Sequence, residues 1–258
     1  MLAVLDALKL DRPVLVGHSI AGEELSSIGS RHPERVAGLV YLDAGYYYAY
    51  YDPSIGNVDI DSRELQKKME QLRAARSEDG KLIEELLQKS LPAFERDLHE
   101  MQKELQAPEP TPPSPTAADR ESFDAWRSWQ KRVFGYALPE AEERQRREFT
   151  PDGHIGERLT KPDLSQLFVA GQQKYTDIRV PVLAIYAVPH DDGPYMNDNP
   201  AARAAIEAVD RTEALAKAFE VGIPTARVVR LPHANHYVFL SNEADVLREI
   251  RAFLAGLH

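Results

Sequence analysis

The stretch Pro13-Val14-Leu15-Val16-Gly17-His18-Ser19-Ile20-Ala21-Gly22 constrains the fold of this chain more than any other segment. Val14 to Val16 are apolar without polar alternation, the pattern of a strand buried on both faces of a parallel sheet. A helix is predicted to begin near Glu23, so the chain must reverse direction within a few residues around Ser19. Gly17 and Ala21 flank Ser19 at two-residue spacing, close to the G-x-S-x-G pattern of a strand, a sharp turn and a helix. Such a turn needs small residues, because strand and helix backbones approach closely. The serine hydroxyl then stands above a sheet edge, at the positive end of a helix dipole. Glu23 and Glu24 fall in the first helical turn, where carboxylates suit that dipole. The simpler reading of Ser19 is a helix cap.

A second signal lies near the other end. Arg227-Val228-Val229-Arg230-Leu231 reads as a strand, and Pro232-His233-Ala234-Asn235-His236 as the loop that leaves it. A helix with apolar Val246, Leu247, Ile250, Phe253 and Leu254 follows. A histidine base must reach a nucleophilic serine from a loop on the same sheet edge, which this order allows. Between the two lies a buried-type strand, Val180 to Ala187, ending in Val188-Pro189-His190-Asp191-Asp192. An acid there falls between serine and histidine in chain order. His236 is preferred to His233 as base because it stands just before the Tyr237-Val238-Phe239-Leu240 run into the last helix. His233 and His236 without an identifiable third ligand are weak evidence for a metal, so no metal and no organic cofactor are expected.

Gly17-His18-Ser19-Ile20-Ala21-Gly22, Leu39-Val40-Tyr41-Leu42-Asp43-Ala44 and Asn235-His236-Tyr237-Val238-Phe239 together resemble the α/β-hydrolase superfamily. The resemblance covers Leu2 to Gly45 and Ile178 to Leu257, and departs from the strict pattern at Ala21, where glycine is commoner. It implies an α/β fold: a parallel sheet flanked by helices, interrupted by a helical lid. It implies Ser19 as nucleophile, His236 as base, Asp191 as the orienting acid and the Ile20 backbone N–H as an oxyanion donor. Asp192 and Asp43 are the alternative acids, since some relatives place theirs at the end of the preceding strand. Related dehalogenases and epoxide hydrolases carry aspartate at the turn apex, so serine favours acyl chemistry on a small or medium ester, thioester or amide. Acyl transfer to an alcohol would use the same three residues, and a non-catalytic ligand-binding form is the alternative outside enzymes.

The resemblance also implies strands upstream of the serine strand, and here only the short helix-like Met1–Leu8 precedes it. Val14–Val16 would then be an apolar sheet edge without a partner, an aggregation hazard. The expectation is that the sequence is an N-terminally incomplete form of a longer protein; the alternative is a short relative that completes its sheet as a homodimer.

Residues 46–177 are read as the lid, with the core in residues 1–45 and 178–258. Leu87, Leu91, Phe94, Leu98, Met101 and Leu105 form an apolar helical stripe, with Pro92 restarting a helix at its first turn. Residues 107–115 read as a stiff Pro-rich linker. Thr116-Ala117-Ala118-Asp119 resembles a capping box opening a helix with Trp126 and Trp129. Tyr46 and Tyr47, in the run Tyr46-Tyr47-Tyr48-Ala49-Tyr50-Tyr51, either line a substrate pocket or pack the base of the lid. His18, beside the serine, is read as a polar-network residue and counted among the pocket candidates.

Composition excludes more than it identifies. A net charge of −10, from 31 basic and 41 acidic residues, argues against nucleic acid or an anionic membrane as partner. No apolar run approaches the ~20 residues of a membrane helix. The absence of cysteine removes disulfides and thiol nucleophiles, and fits a cytoplasmic location. A small acyl substrate is the expected partner.

Overall fold

A computed structural model describes residues 1–74, 79–107, 111–160 and 165–257. Its centre is a four-stranded, wholly parallel sheet of β1 (Val14–His18), β2 (Gly38–Leu42), β5 (Val182–Ala187) and β6 (Ala226–Leu231), in that spatial order. The two central strands are buried at every position, as a strand covered on both faces requires. β1 is the outermost strand of the sheet, and its Val16 is 53% exposed.

Helices cover both faces. The chain begins with α1 (Leu2–Ala7), and α2 (Ala21–Arg31) links β1 to β2. Leu5, Leu25, Ile28, Leu39, Tyr41 and Phe219 meet in the core of one face. On the other face Val40, Leu183, Ile185, Val238 and Val246 pack together. The parallel connections and the two cores give the parallel sheet flanked by helices that the resemblance implied.

Between β2 and β5 the chain leaves the sheet. It forms α3 (Val58–Ala74), α4 (Gly80–Glu85), a wide helical turn and then α5 (Leu91–Gln106). Next come α6 (Phe123–Phe134), α7 (Glu140–Glu143), a hairpin of β3 (Arg147–Phe149) with β4 (Ile155–Arg158), and α8 (Ser165–Gly171). Pro92 does sit in the first turn of α5. Of the stripe, Leu87, Leu91, Leu98, Met101 and Leu105 are exposed, so it does not pack against the body of the chain. Residues 108–110 of the expected Pro-rich linker lie outside the described residues. Thr116 and Asp119 exchange the reciprocal bonds of a capping box, but these close a short 3₁₀ turn. Ser122 is the residue that caps α6, accepting from the Ala125 N–H. Trp126 and Trp129 then pack with Val133 and Ile155 in a separate small core.

Beyond β5 the chain forms α9 (Pro194–Asn197), α10 (Pro200–Val209) and α11 (Thr212–Gly222). After β6, α12 (Val238–Ser241) and α13 (Glu243–Ala255) complete the second face.

Candidate active site

Ser19 follows the last residue of β1 and precedes α2, with φ at 55°. A left-handed backbone costs an L-residue about 1–2 kcal/mol, so the turn is held by its surroundings. Gly17 is in close contact with Leu25 and Ala21: an added Cβ would lie 3.0 Å from the Ala21 methyl. The tighter constraint is at Gly22, where an added Cβ would meet the Ala44 carbonyl oxygen at 1.9 Å. The turn therefore accepts alanine at position 21 and demands glycine one residue later. Among the described residues the Ile20 backbone N–H has no acceptor within the protein, as befits an orphan donor at a helix start.

Ser19 Oγ lies 3.0 Å from Nε2 of His236, and His236 Nδ1 lies 2.7 Å from Oδ2 of Asp43. Asp43 directly follows β2, the neighbour of β1, with φ at 44°. Its carboxylate is fully buried. Oδ1 accepts from the Ala187 N–H at 3.1 Å, and Oδ2 also accepts from the Tyr46 hydroxyl at 2.8 Å. Burial, then the Asp43 charge and bond, push the Tyr46 phenol far above its ordinary pKa, which keeps it a donor.

Asp191, expected to orient His236, does not do so. Its Oδ1 accepts from the Gly193 N–H at 2.9 Å and from Asn197 at 2.6 Å, on the outer side of the loop. Both ring nitrogens of His236 are occupied by Ser19 and Asp43. The cause is the pairing of His190 with Ala234 in an isolated parallel bridge. Side chains alternate along extended chain, so His190 turns toward the site and Asp191 away from it. Asp192 is committed to His190, with Oδ1 2.8 Å from its Nδ1. His233 is exposed and makes its hydrogen bond through the backbone, to the Pro189 carbonyl.

His18 Nε2 donates to the His236 carbonyl at 2.8 Å, and its ring lies 4.5 Å from the His236 ring. Burial lowers its pKa despite that bond, so it braces the loop as a neutral imidazole. Tyr47 is turned elsewhere, lining a separate hollow with Gly56, Asn57 and Met101. Tyr48, which the sequence pattern did not single out, brings its hydroxyl toward Ser19 and is 9% exposed. Alternation in a tyrosine-rich run could not show which ring turns inward. Tyr48 also packs on Phe168, and Tyr136 packs on Tyr237 beside His236, with ring centroids 5.6 and 4.9 Å apart. A hollow of about 420 Å³ opens next to the turn, lined by Ile20, Ala21, Glu23, Glu24, Leu167 and Phe168. Burial, then the Glu24 charge, raises the Glu23 pKa there.

No protein of curated function matches the sequence. Among solved structures, a probable hydrolytic enzyme from Pseudomonas aeruginosa PAO1 is 14% identical, with a TM-score of 0.48, covering 98% of this chain and 66% of that one. The carboxylesterase CesB from Bacillus subtilis is 16% identical, with a TM-score of 0.41, over 98% of this chain and 63% of that one. An esterase from a marine microorganism is 13% identical, with a TM-score of 0.42, over 97% and 73%. This chain thus spans less than two thirds of the length of the first two. No helix among the described residues is long and apolar enough to cross a membrane. The sequence profile of the alpha/beta hydrolase fold matches residues 1–243, and the parallel sheet with its serine turn agrees with it: the chain belongs to the alpha/beta hydrolase fold family.

Proposed function

We propose that this protein is a serine hydrolase that cleaves a small or medium ester, thioester or amide through an acyl-enzyme. The observation that carries the reading is the unbroken hydrogen-bond path from Ser19 Oγ through His236 to Asp43. Ser19 Oγ attacks the carbonyl carbon while its proton passes to His236 Nε2. The carbonyl electron pair moves onto oxygen, where the Ile20 N–H is placed to donate. His236 then gives the proton to the leaving group as the tetrahedral adduct collapses to the acyl-enzyme. Water repeats the sequence, attacking the ester carbonyl as His236 takes its proton, and releases the acid and Ser19. Asp43 holds the imidazole with Nδ1–H toward the carboxylate and Nε2 toward serine, and stabilises the imidazolium that forms.

Residues 46–177 act in this proposal as a lid, a role supported by the approach of Tyr48 to Ser19 and the packing of Tyr136 on Tyr237. The hollow beside Ile20 is the site proposed for the acyl or leaving group. The test is labelling of the full chain by a fluorophosphonate, beside Ser19→Ala and His236→Ala. Labelling of wild type alone supports the reading. A folded wild type that takes no label overturns it in favour of a ligand-binding form.

A further inference from the structure

His190 stands beside the proposed triad and has no part in the proposed reaction. Its bridge to Ala234 brings the loop after β5 against the loop that carries His236. One ligand atom each from Asp43, His190 and His236 lies within 4.8 Å of the other two. His190 Nδ1 is paired with Asp192 at 2.8 Å, which leaves Nε2 as its open position. A carboxylate behind the far nitrogen is the arrangement that orients a metal-binding histidine and raises its basicity. The side chains of His190 and His236 are 22% and 35% exposed, so an ion can enter and keep a water ligand.

Two imidazoles and one carboxylate suit Zn²⁺, with bonds of about 2.0–2.2 Å and hence ligand atoms about 3.3 Å apart in a tetrahedron. From the 4.8 Å limit the widest pair closes by about 1.5 Å, while the His236–Asp43 pair, at 2.7 Å, opens by about 0.6 Å. The pair weighed from sequence, His233 and His236, is not the one the fold assembles.

We propose that Asp43, His190 and His236, backed by Asp192, form a Zn²⁺ site whose occupation shuts the enzyme off. The inhibition rests on the Ser–His reading above, whereas the binding does not. Zn²⁺ takes the place of the proton between His236 and Asp43. The Nδ1–H bond breaks and Nε2 takes up a proton in exchange, so the imidazole stays neutral; the Nδ1 lone pair, an Asp43 oxygen and His190 Nε2 coordinate the ion, with no change of oxidation state. Asp43 can still accept from Tyr46 and the Ala187 N–H, because only its bond to the His236 proton is exchanged. His236 held on the ion carries its hydrogen on Nε2, which then has no lone pair to accept the Ser19 proton, so proton transfer from Ser19 stops.

The test is calorimetric titration of the full chain with zinc chloride, on wild type, Ser19→Ala, His190→Gln and Asp192→Asn. Wild type and Ser19→Ala are expected to bind one ion per chain. His190→Gln should weaken binding at least tenfold, and Asp192→Asn about tenfold, within the 10–100-fold range of such outer-shell changes. Hydrolysis is read for wild type and the His190 and Asp192 variants as the ratio of rates with and without zinc, so a changed basal rate does not enter. Binding of wild type that neither substitution weakens, or no binding at 0.1 mM zinc (on the order of a thousandfold weaker than ordinary protein zinc sites), overturns the proposal. Should His190→Gln fail to fold, judged by circular dichroism, Asp192→Asn carries the test. Failure of fluorophosphonate labelling together with intact zinc binding removes the hydrolase reading and leaves the site.

Discussion

The carbonyl oxygen of Ala44 occupies the space that a Cβ on Gly22 would need, 1.9 Å from its ideal position. The serine turn and the aspartate loop therefore touch through bare backbone, and neither can move without the other. Gly22→Ala is expected to push α2 away from the strand-end loop, lower stability by about 1–3 kcal/mol as overpacking does, and abolish fluorophosphonate labelling. Thermal denaturation and labelling measured on one preparation check both effects.

The assignment of the acid is tested by Asp43→Asn beside Asp191→Asn. Losing the carboxylate that sets the His236 tautomer is expected to lower kcat about 10⁴-fold. Asp191→Asn retains an acceptor for Gly193 and Asn197 and should change kcat by less than about fivefold, a small effect on the scale of triad losses. Equal losses would return the role to the loop after β5.

The left-handed turn at Ser19 has its own stability signature. Ser19→Gly and Ser19→Ala both remove the nucleophile, but only glycine relieves the φ of 55°. The glycine variant should be more stable than the alanine variant by about 1 kcal/mol, read from urea denaturation. A glycine variant no more stable than the alanine one would mean the turn is not strained.

Tyr46→Phe removes one donor to the buried Asp43 and leaves the ring in place. A hydrogen bond to a charged group contributes about 1.5–3 kcal/mol, so kcat is expected to fall about tenfold or more with KM little changed. An unchanged kcat would reduce Tyr46 to packing.

A pH effect is expected away from the site. Asp97 is buried, lies near Asp61 with Arg96 contacting both carboxylates, and has its pKa pushed up to about 6, burial being the largest cause. A folded pKa above the unfolded value near 3.9 gives stability that is full below pH 4 and lost as pH rises through 6. Wild type should therefore lose Tm between pH 4 and 7 relative to Asp97→Asn, in which that loss disappears. Parallel pH profiles for the two proteins would refute the assignment.

The sequence made the serine turn and the histidine loop legible because each is local: a strand, a constrained turn, a helix. The acid was not, since Asp43, Asp191 and Asp192 all end strands in the same layer. What decides among them is lateral. β2 lies directly beside β1, so its C-terminal end stands next to Ser19, and the His190–Ala234 bridge sets which face of the next loop turns inward. Chain order does not encode either. The exposed Leu87–Leu105 stripe shows the same limit, because heptad-like spacing marks a helix face without saying whether anything covers it.

Ser19 and Asp43 are near neighbours in sequence, while the base that joins them comes 217 residues after the serine. During synthesis the hydroxyl and its future acid leave the ribosome early and stay without a proton acceptor between them until the last strand has been made and docked. On the proposed reading, a chain that stops before His236 has no base to activate Ser19, and a probe that reacts with Ser19 reports completed folding as well as catalytic competence.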